Sequence, residues 1–155
     1  MARVLVVEDD AWIAWMIADD LAERGYQVST ARDGAEALRR LKATRPDAIV
    51  LDLMLPKMNG WDFVERYQEH TGGRAIPIVV VSAAGAVPRS LERRGVRQFL
   101  AKPFDVEQLA RSVAEAVVSV DASGSAPTAA PGPATLGPVA AASQAWWHRE
   151  LPPRA

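Results

Sequence analysis

The chain contains no cysteine and only two histidines, His70 and His148, which lie far apart in sequence. The absence of cysteine excludes disulfide bonds, thiolate catalysis and cysteine-based zinc sites, and two distant histidines do not predict a histidine-rich metal site. The formal net charge is −1, so no excess of positive charge favours nucleic acid or an anionic membrane surface. We therefore expect neither a nucleic acid nor a membrane among the partners.

The chain also lacks a long apolar run. None approaches the roughly 20 residues that are needed to span a bilayer. The apolar run near the N-terminus, residues 4–7, is shorter than that of a signal peptide, and three acids follow it in place of a cleavage site of small residues. We therefore expect a cytoplasmic protein.

Proline is unevenly distributed, and its distribution predicts the domain organisation. Six of the eleven prolines fall in residues 121–155, together with much alanine, glycine and serine. This composition is typical of a flexible, disordered tail, and we predict one folded domain over residues 1–120. The tail is too short and too rich in proline for a helix-turn-helix, so we expect no DNA-binding output domain. Trp146 and Trp147 in the tail could dock on a partner or fold back on the domain, and both interpretations stay open.

Residues 1–120 alternate between short β-branched runs and stretches with apolar residues at helical spacing. Strands that alternate with helices predict an α/β fold in which helices cover both faces of a parallel sheet. We predict a doubly wound, flavodoxin-like (βα)5 fold with a five-stranded parallel sheet in the order 2-1-3-4-5. The predicted strands cover residues 3–7, 26–30, 47–51, 76–81 and 96–101. The predicted helices cover residues 11–24, 34–44, 60–70, 87–94 and 105–120.

Polar side chains follow four of the five predicted strands. They are Glu8 and Asp9 after the first strand, Asp52 after the third, Ser82 at the end of the fourth and Lys102 after the fifth. Ligands of doubly wound sheets bind outside the carboxyl ends of the strands, where these side chains meet at one edge that we call the rim. The convergence of polar side chains from four separate loops at this edge therefore predicts one functional site.

The acids of the rim predict a metal ion. Crowded carboxylates repel one another, and each costs free energy to remove from water, so a hard divalent cation relieves both effects. Mg²⁺ takes oxygen ligands and is often bound by one or two carboxylates plus a phosphate. We predict Mg²⁺ as the cofactor, with Asp9 and Asp52 as direct ligands and Glu8 acting through water. The backbone carbonyl of Met54 is a further predicted ligand.

The same residues fit phosphoryl transfer. The Asp52 carboxylate can act as a nucleophile and form an aspartyl phosphate. Lys102 would balance the charge of the site, and Ser82 offers a hydroxyl donor to an oxygen of an incoming anion. Stabilising the charge on the phosphoryl oxygens is the main task of the protein in such a transfer.

The predicted rim residues lie in four short motifs: Val6-Val7-Glu8-Asp9-Asp10; Leu51-Asp52-Leu53-Met54-Leu55-Pro56 with Asn59-Gly60; Val80-Val81-Ser82-Ala83; and Phe99-Leu100-Ala101-Lys102-Pro103-Phe104. Together they resemble the response-regulator receiver domain of two-component signalling, in its single-domain, chemotaxis-regulator-like form. The resemblance covers residues 2–120. It implies that Asp52 accepts a phosphoryl group from a phosphohistidine on a sensor histidine kinase or a phosphotransfer protein.

The resemblance also implies roles for the other residues. Glu8 and Asp9 stand in the place of the acidic metal-binding pair, Lys102 in that of the family's lysine and Ser82 in that of its switch hydroxyl. Phe99 stands where the family has a rotating aromatic side chain. The resemblance implies that Ser82 moves toward the phosphoryl group and Phe99 turns inward, so that the surface of the last two helices and the last strand changes. Such a switch signals through protein contact or phosphorelay, as a monomer or a weak phosphorylation-dependent dimer.

Two features depart from the family pattern. The stretch from Ser82 to Lys102 is shorter than the family's, and residues 85–94 lack an apolar stripe, with Pro88 suited only to a first helical turn. We therefore predict a short or mobile helix there. Met54 and Ala84, two residues after Asp52 and Ser82, have no side-chain group that can hydrogen-bond an attacking water. We therefore predict slow self-dephosphorylation.

Other functions fit the residues less well. A phosphatase of the haloacid-dehalogenase type needs a second aspartate two residues after its nucleophile, where this chain has Met54. A phosphorylation-independent interaction module would not need the whole set of acids, hydroxyl and lysine. No glycine-rich phosphate loop follows the first strand, which argues against nucleotide binding. We therefore do not expect an enzyme, beyond catalysis of the chain's own phosphoryl transfer and slow dephosphorylation.

Two aromatic residues and one histidine need separate interpretation. Trp12 and Trp15 share the polar side of the first helix, and they either anchor a partner such as a kinase or pack on neighbouring loops. His70 ends the third helix, and we interpret it as a favourable charge at a helix C-terminus rather than as a phosphohistidine.

Overall fold

The structure, a computed structural model, describes residues 1–73, 75–83 and 94–122. These residues form five strands and four helices. The strands are β1 (Arg3–Val7), β2 (Gln27–Ala31), β3 (Ala48–Leu51), β4 (Ile78–Ser82) and β5 (Val96–Ala101). The helices are α1 (Ala11–Glu23), α2 (Gly34–Thr44), α3 (Gly60–His70) and α4 (Val106–Ala122).

The five strands form one parallel sheet in the order β2-β1-β3-β4-β5. The predicted fold class and strand order are therefore confirmed. The largest difference in strand bounds is at β4, which begins at Ile78 rather than at residue 76. Pro77 has no backbone N–H and cannot donate to the ladder, although its carbonyl accepts from Ile49 N at 3.0 Å.

The sheet separates two apolar clusters, and β1 shows how. Its side chains alternate, so that Leu5 and Val7 pack with α2 and α3, whereas Val4 and Val6 pack with α1 and α4. All four are at most 1% exposed. This two-sided burial explains why the strand is an uninterrupted apolar run, as expected of parallel strands covered on both faces.

The helices begin where side chains can cap them. The Asp10 carboxylate accepts from Trp12 N at 2.9 Å and from Ile13 N at 3.1 Å, and so satisfies two free amides of α1. The Asp33 carboxylate accepts from Glu36 N at 2.8 Å in the same way at α2, as the sequence predicts. Each cap lies two or three residues after the end of a strand. The chain therefore turns sharply from sheet to helix at the rim.

Two predictions fall on residues that the structure does not describe. The predicted helix over residues 87–94 lies outside the described residues except for its last position. Helix α4 continues to Ala122, two residues beyond the predicted end of the domain. The tail predicted for residues 121–155 otherwise lies outside the described residues, so that domain boundary stays a prediction.

Candidate phosphoacceptor site

The backbone ladder places the rim residues side by side. Hydrogen bonds of the sheet continue past the strand ends, from Asp52 N to Val7 O at 2.9 Å and from Lys102 N to Ser82 O at 3.1 Å. Residues that follow neighbouring strands are therefore held in register. The four loops that were predicted to meet at this edge do meet there.

The three predicted acids form one cluster. An oxygen of each of Glu8, Asp9 and Asp52 lies within 4.8 Å of an oxygen of the others. Glu8 and Asp52 are buried, at 3% and 4% exposed, whereas Asp9 is exposed. Two of the three carboxylates are thus removed from water, and the third lies on the solvent side of the cluster.

Lys102 links the two buried acids. Its Nζ donates to Glu8 Oε2 at 2.8 Å and to Asp52 Oδ2 at 2.9 Å. The lysine side chain itself is only 19% exposed. These are charge-assisted hydrogen bonds in a poorly hydrated place, where charges interact more strongly than at the open surface.

The pKa values at the rim show what burial does. Burial disfavours the charged form of Glu8 and raises its pKa to about 7; the nearby Asp52 adds to this rise, and the hydrogen bond from Lys102 opposes it. Burial alone would lower the pKa of Lys102, but its hydrogen bonds to the two carboxylates outweigh burial and raise that pKa. The lysine therefore stays charged between the two buried carboxylates.

Both oxygens of Asp52 are held by the protein. Oδ2 accepts from Lys102, and Oδ1 accepts from the amide of Met54 at 2.9 Å. The loop that carries this amide is pressed against α3, because a Cβ on Gly60 would lie 2.6 Å from Leu53 Cα. Glycine at position 60 therefore lets the helix approach the backbone that follows Asp52 and fixes the orientation of the carboxylate.

The remaining predicted site residues lie near the rim and differ in how deeply they are buried. Ser82 ends β4 and is fully buried. Phe99 lies on β5, opposite Val80, and is a half-buried side chain packed against the cluster under α2 and α3. Met54 contributes its amide to the site, while its side chain is 63% exposed. Metal binding by its carbonyl stays a prediction.

The structure also shows roles for residues near the rim that the sequence motifs did not assign. Asp10 follows the acidic pair and acts as a helix cap, which its place before the apolar periodicity of α1 could have indicated. Trp12 stacks on Trp15, with ring centroids 5.2 Å apart, as their spacing of three residues on one side of α1 could have indicated. Both tryptophans are exposed, at 67% and 55%, and their role in docking stays a prediction.

His70 lies away from the rim, at the last residue of α3. Its Nδ1 donates to the carbonyl of Arg66 at 3.2 Å, which agrees with a role at the helix C-terminus. No helix among the described residues combines the length and apolar character that a membrane span requires.

Comparison with known proteins identifies the family that this fold and site define. The model of the response regulator receiver domain matches residues 4–114, and the chain belongs to this family. It is 33% identical over 111 residues to the DNA-binding dual master transcriptional regulator RpaA of Synechocystis sp., a match that covers 70% of this chain and 46% of that protein. It is 37% identical over 109 residues to response regulator MprA of Mycobacterium ulcerans, covering 69% of this chain and 46% of that protein.

Solved structures agree on the fold. Chemotaxis protein CheY4 of Vibrio cholerae superimposes with a TM-score of 0.66 at 31% identity, over 75% of this chain and 98% of that chain. The superposition therefore covers almost all of the CheY4 chain. By contrast, the chain spans about half the length of the curated relatives that it matches.

Proposed function

We propose that the chain is a phosphorylation-activated signalling switch in which Asp52 accepts a phosphoryl group from a phosphohistidine of a sensor kinase or phosphotransfer protein. One observation carries the proposal. A buried carboxylate is held by a lysine on one oxygen and a backbone amide on the other, at an edge that also holds two more carboxylates. Membership of the receiver family supports the same function.

The chain's own residues perform the transfer in simple steps. A carboxylate oxygen of Asp52 forms a bond to phosphorus as the P–N bond of the phosphohistidine breaks. The electron pair of that bond returns to the imidazole, which carries a proton on its other nitrogen and so departs neutral. Lys102 Nζ, already 2.9 Å from Asp52 Oδ2, neutralises charge that gathers on the phosphoryl oxygens.

The donor set fits Mg²⁺. Carboxylate oxygens are hard ligands, and three of them converge within 4.8 Å. Both oxygens of Glu8 are engaged by the protein, Oε2 by Lys102 and Oε1 by Asp10 N at 3.2 Å. Asp9 and Asp52 would hold the ion directly, with the Met54 carbonyl, and Glu8 would act through water. When bound, Mg²⁺ supplies positive charge to the phosphoryl oxygens.

The switch would use the adjoining strands. Ser82 at the end of β4 pairs with Ala101, two residues beyond Phe99 on β5. We propose that the Ser82 hydroxyl moves to a phosphoryl oxygen and that Phe99, now half-buried, turns further inward. A local charge on Asp52 would thereby change the exposed surface of β5 and α4.

Output is proposed to pass through protein contact or phosphorelay. Trp12 and Trp15 form an exposed, stacked pair that begins two residues after Asp10, and we propose that this pair docks the phosphodonor protein. DNA binding is named for the Synechocystis relative as a whole protein, of which this chain matches 46%. We propose that the chain itself acts as a monomer or weak dimer, without nucleic acid and without catalysis beyond its own phosphorylation.

The aspartyl phosphate is proposed to be long-lived. The Met54 side chain is exposed beside Asp52 and offers no hydrogen bond to an attacking water. A Met54→Asn variant, which adds such a group, should lose its phosphoryl group at least several-fold faster than the unchanged chain. A half-life of seconds for the unchanged chain would contradict the proposal.

The central test is incubation of the full chain with Mg²⁺ and a small phosphodonor, followed by intact-mass measurement. We expect the unchanged chain to gain one phosphoryl group and Asp52→Asn to gain none. Asp19→Asn, which changes an exposed aspartate on α1, is the matched control and should be labelled like the unchanged chain. Equal labelling of the Asp52→Asn variant would overturn the assignment.

A further inference from the structure

A cavity lies at the end of the sheet opposite the rim. It has a volume of about 460 Å³ and is lined by Leu41, Lys42, Arg45, His70, Thr71 and Ile76. It is bounded by the C-terminal ends of α2 and α3 and by the segment that leads into β4. A five-residue strand spans about 16 Å, so this cavity, which we call the basal cavity, is separated from Asp52 by the depth of the sheet.

The charged side chains that line the basal cavity are basic. The lining holds one lysine, one arginine and a histidine but no acid. Between Glu36 and Asp47 the sequence contains four bases. One of these bases, Arg40, is paired with Glu36 at 2.9 Å, whereas Lys42 and Arg45 have no ion pair within the part of the chain that the structure describes.

Neutralising the ends of the helices does not account for these bases. The last carbonyl of α2, Thr44 O, accepts from the guanidinium of Arg3 at 3.3 Å. Leu41 O accepts from the amide of Arg45 at 3.1 Å, and Arg66 O on α3 accepts from His70. The helix ends thus have other partners, and the side chains of Lys42 and Arg45 make no hydrogen bond among the described residues.

We propose that the basal cavity binds a small organic phosphate whose phosphate group sits on an apolar ring. Two full positive charges exceed the roughly half-unit negative charge at each helix C-terminus, so the cavity attracts anions. A doubly charged phosphate satisfies two bases better than a carboxylate does. Leu41 and Ile76 are each only 2% exposed, so a ring would pack mainly on the aliphatic parts of the exposed Lys42 and Arg45 side chains.

The volume suits such a ligand. Pockets that hold small molecules generally range from about 300 to 1,000 Å³ and combine apolar walls with a few polar groups. The proposal is independent of phosphorylation at Asp52, since none of the residues that line the basal cavity belongs to the rim.

The test is a nuclear magnetic resonance titration of the full chain with phenylphosphonate, which cannot transfer its phosphorus group. We expect saturable shifts of the amides of Lys42, Arg45, His70 and Thr71, with smaller changes at Glu8 and Asp9. Inorganic phosphate should bind about tenfold more weakly, because it has no ring to pack on the Lys42 and Arg45 side chains. Equal binding of inorganic phosphate, or shifts confined to the rim, would overturn the proposal.

Charge variants complete the test. The double variant Lys42→Gln, Arg45→Gln should bind phenylphosphonate at least about tenfold more weakly. The double variant Lys57→Gln, Arg111→Gln removes the same kinds of charge from exposed positions outside the cavity and should bind like the unchanged chain. Equal weakening in both variants would indicate general charge attraction and would also overturn the proposal, while Asp52→Asn should leave the titration unchanged.

Discussion

The rim and the basal cavity both carry lysine, but the two lysines are held in opposite ways. At the rim, Lys102 lies between two buried carboxylates at 2.8 and 2.9 Å. At the basal cavity, Lys42 is exposed, without an ion pair among the described residues. The difference shows that burial, rather than residue type, decides whether a charge depends on a partner within the fold.

The contrast follows from desolvation. A carboxylate removed from water loses its hydration, so it depends on a nearby opposite charge, and the raised pKa of Glu8 reports that cost. An exposed base keeps its hydration and needs no partner. Removing a charge should therefore have a large effect at the rim and almost none on stability at the basal cavity.

The largest effect is expected for Lys102→Gln in metal-free buffer at pH 7. The substitution leaves two buried carboxylates without their cation, and we expect the free energy of unfolding to fall by about 2 to 3 kcal/mol. Denaturant unfolding measures this change. Lys57→Gln, at an exposed position, is the control and should change stability by less than about 0.5 kcal/mol. Equal effects of the two substitutions would contradict the claim that burial makes Lys102 important for stability.

The second effect concerns the cation proposed for the rim. Because Mg²⁺ would bind the folded chain only, a concentration of ten times its Kd should raise the free energy of unfolding by about 1.4 kcal/mol. Thermal unfolding with and without Mg²⁺ measures it. Asp9→Asn should remove most of the gain and Asp19→Asn none of it. A gain of the same size in the Asp9→Asn variant would show that the ion binds elsewhere.

The third effect concerns Glu36, a half-buried acid that lies outside the rim. Glu36 accepts from Arg32 N at 2.9 Å and from Arg40, and these hydrogen bonds lower the pKa of Glu36 below its reference value of 4.5. A lowered folded-state pKa means that the stabilisation is present above pH 4.5 and is lost as the pH falls through the folded-state pKa.

Glu36→Gln should therefore destabilise the chain by about 1 kcal/mol at pH 7. The difference from the unchanged chain should shrink toward zero as the pH falls below 4.5. Unfolding at a series of pH values measures it, with Glu69→Gln, an exposed acid on α3, as the control. If the difference in the free energy of unfolding grew as the pH fell, the predicted direction of the pH dependence would be wrong.

The smallest effect is expected for stability at the basal cavity. The double variant Lys42→Gln, Arg45→Gln should change the free energy of unfolding by less than about 0.5 kcal/mol, because both side chains are exposed and neither makes an ion pair with another described residue. The same unfolding measurement used for Lys102→Gln applies. A loss as large as that of Lys102→Gln would mean that these bases support the fold, which contradicts their assignment to a ligand.

The sequence was most informative where one physical preference dominated. The apolar run of β1 and the cap at Asp33 predicted elements within a residue or two of their observed bounds. The predicted bounds were less accurate at β4, because Pro77 has no N–H to donate and the hydrogen-bonded ladder of this strand begins only after it. The contact between Gly60 and Leu53 was not predicted, because no local pattern reveals which distant backbone will lie against a glycine.

The class of fold and the chemical groups at the carboxyl ends of the strands could be predicted from the sequence, because side-chain periodicity and chain order are local properties. The tertiary structure was needed to show that Glu8 and Asp52 are buried while Asp9 is exposed, and that one lysine bridges the two buried acids. It was also needed to show that the ends of α2 and α3 border a basic cavity. Burial and pairing depend on residues that are far apart in sequence, and the free energy of a charge depends on both.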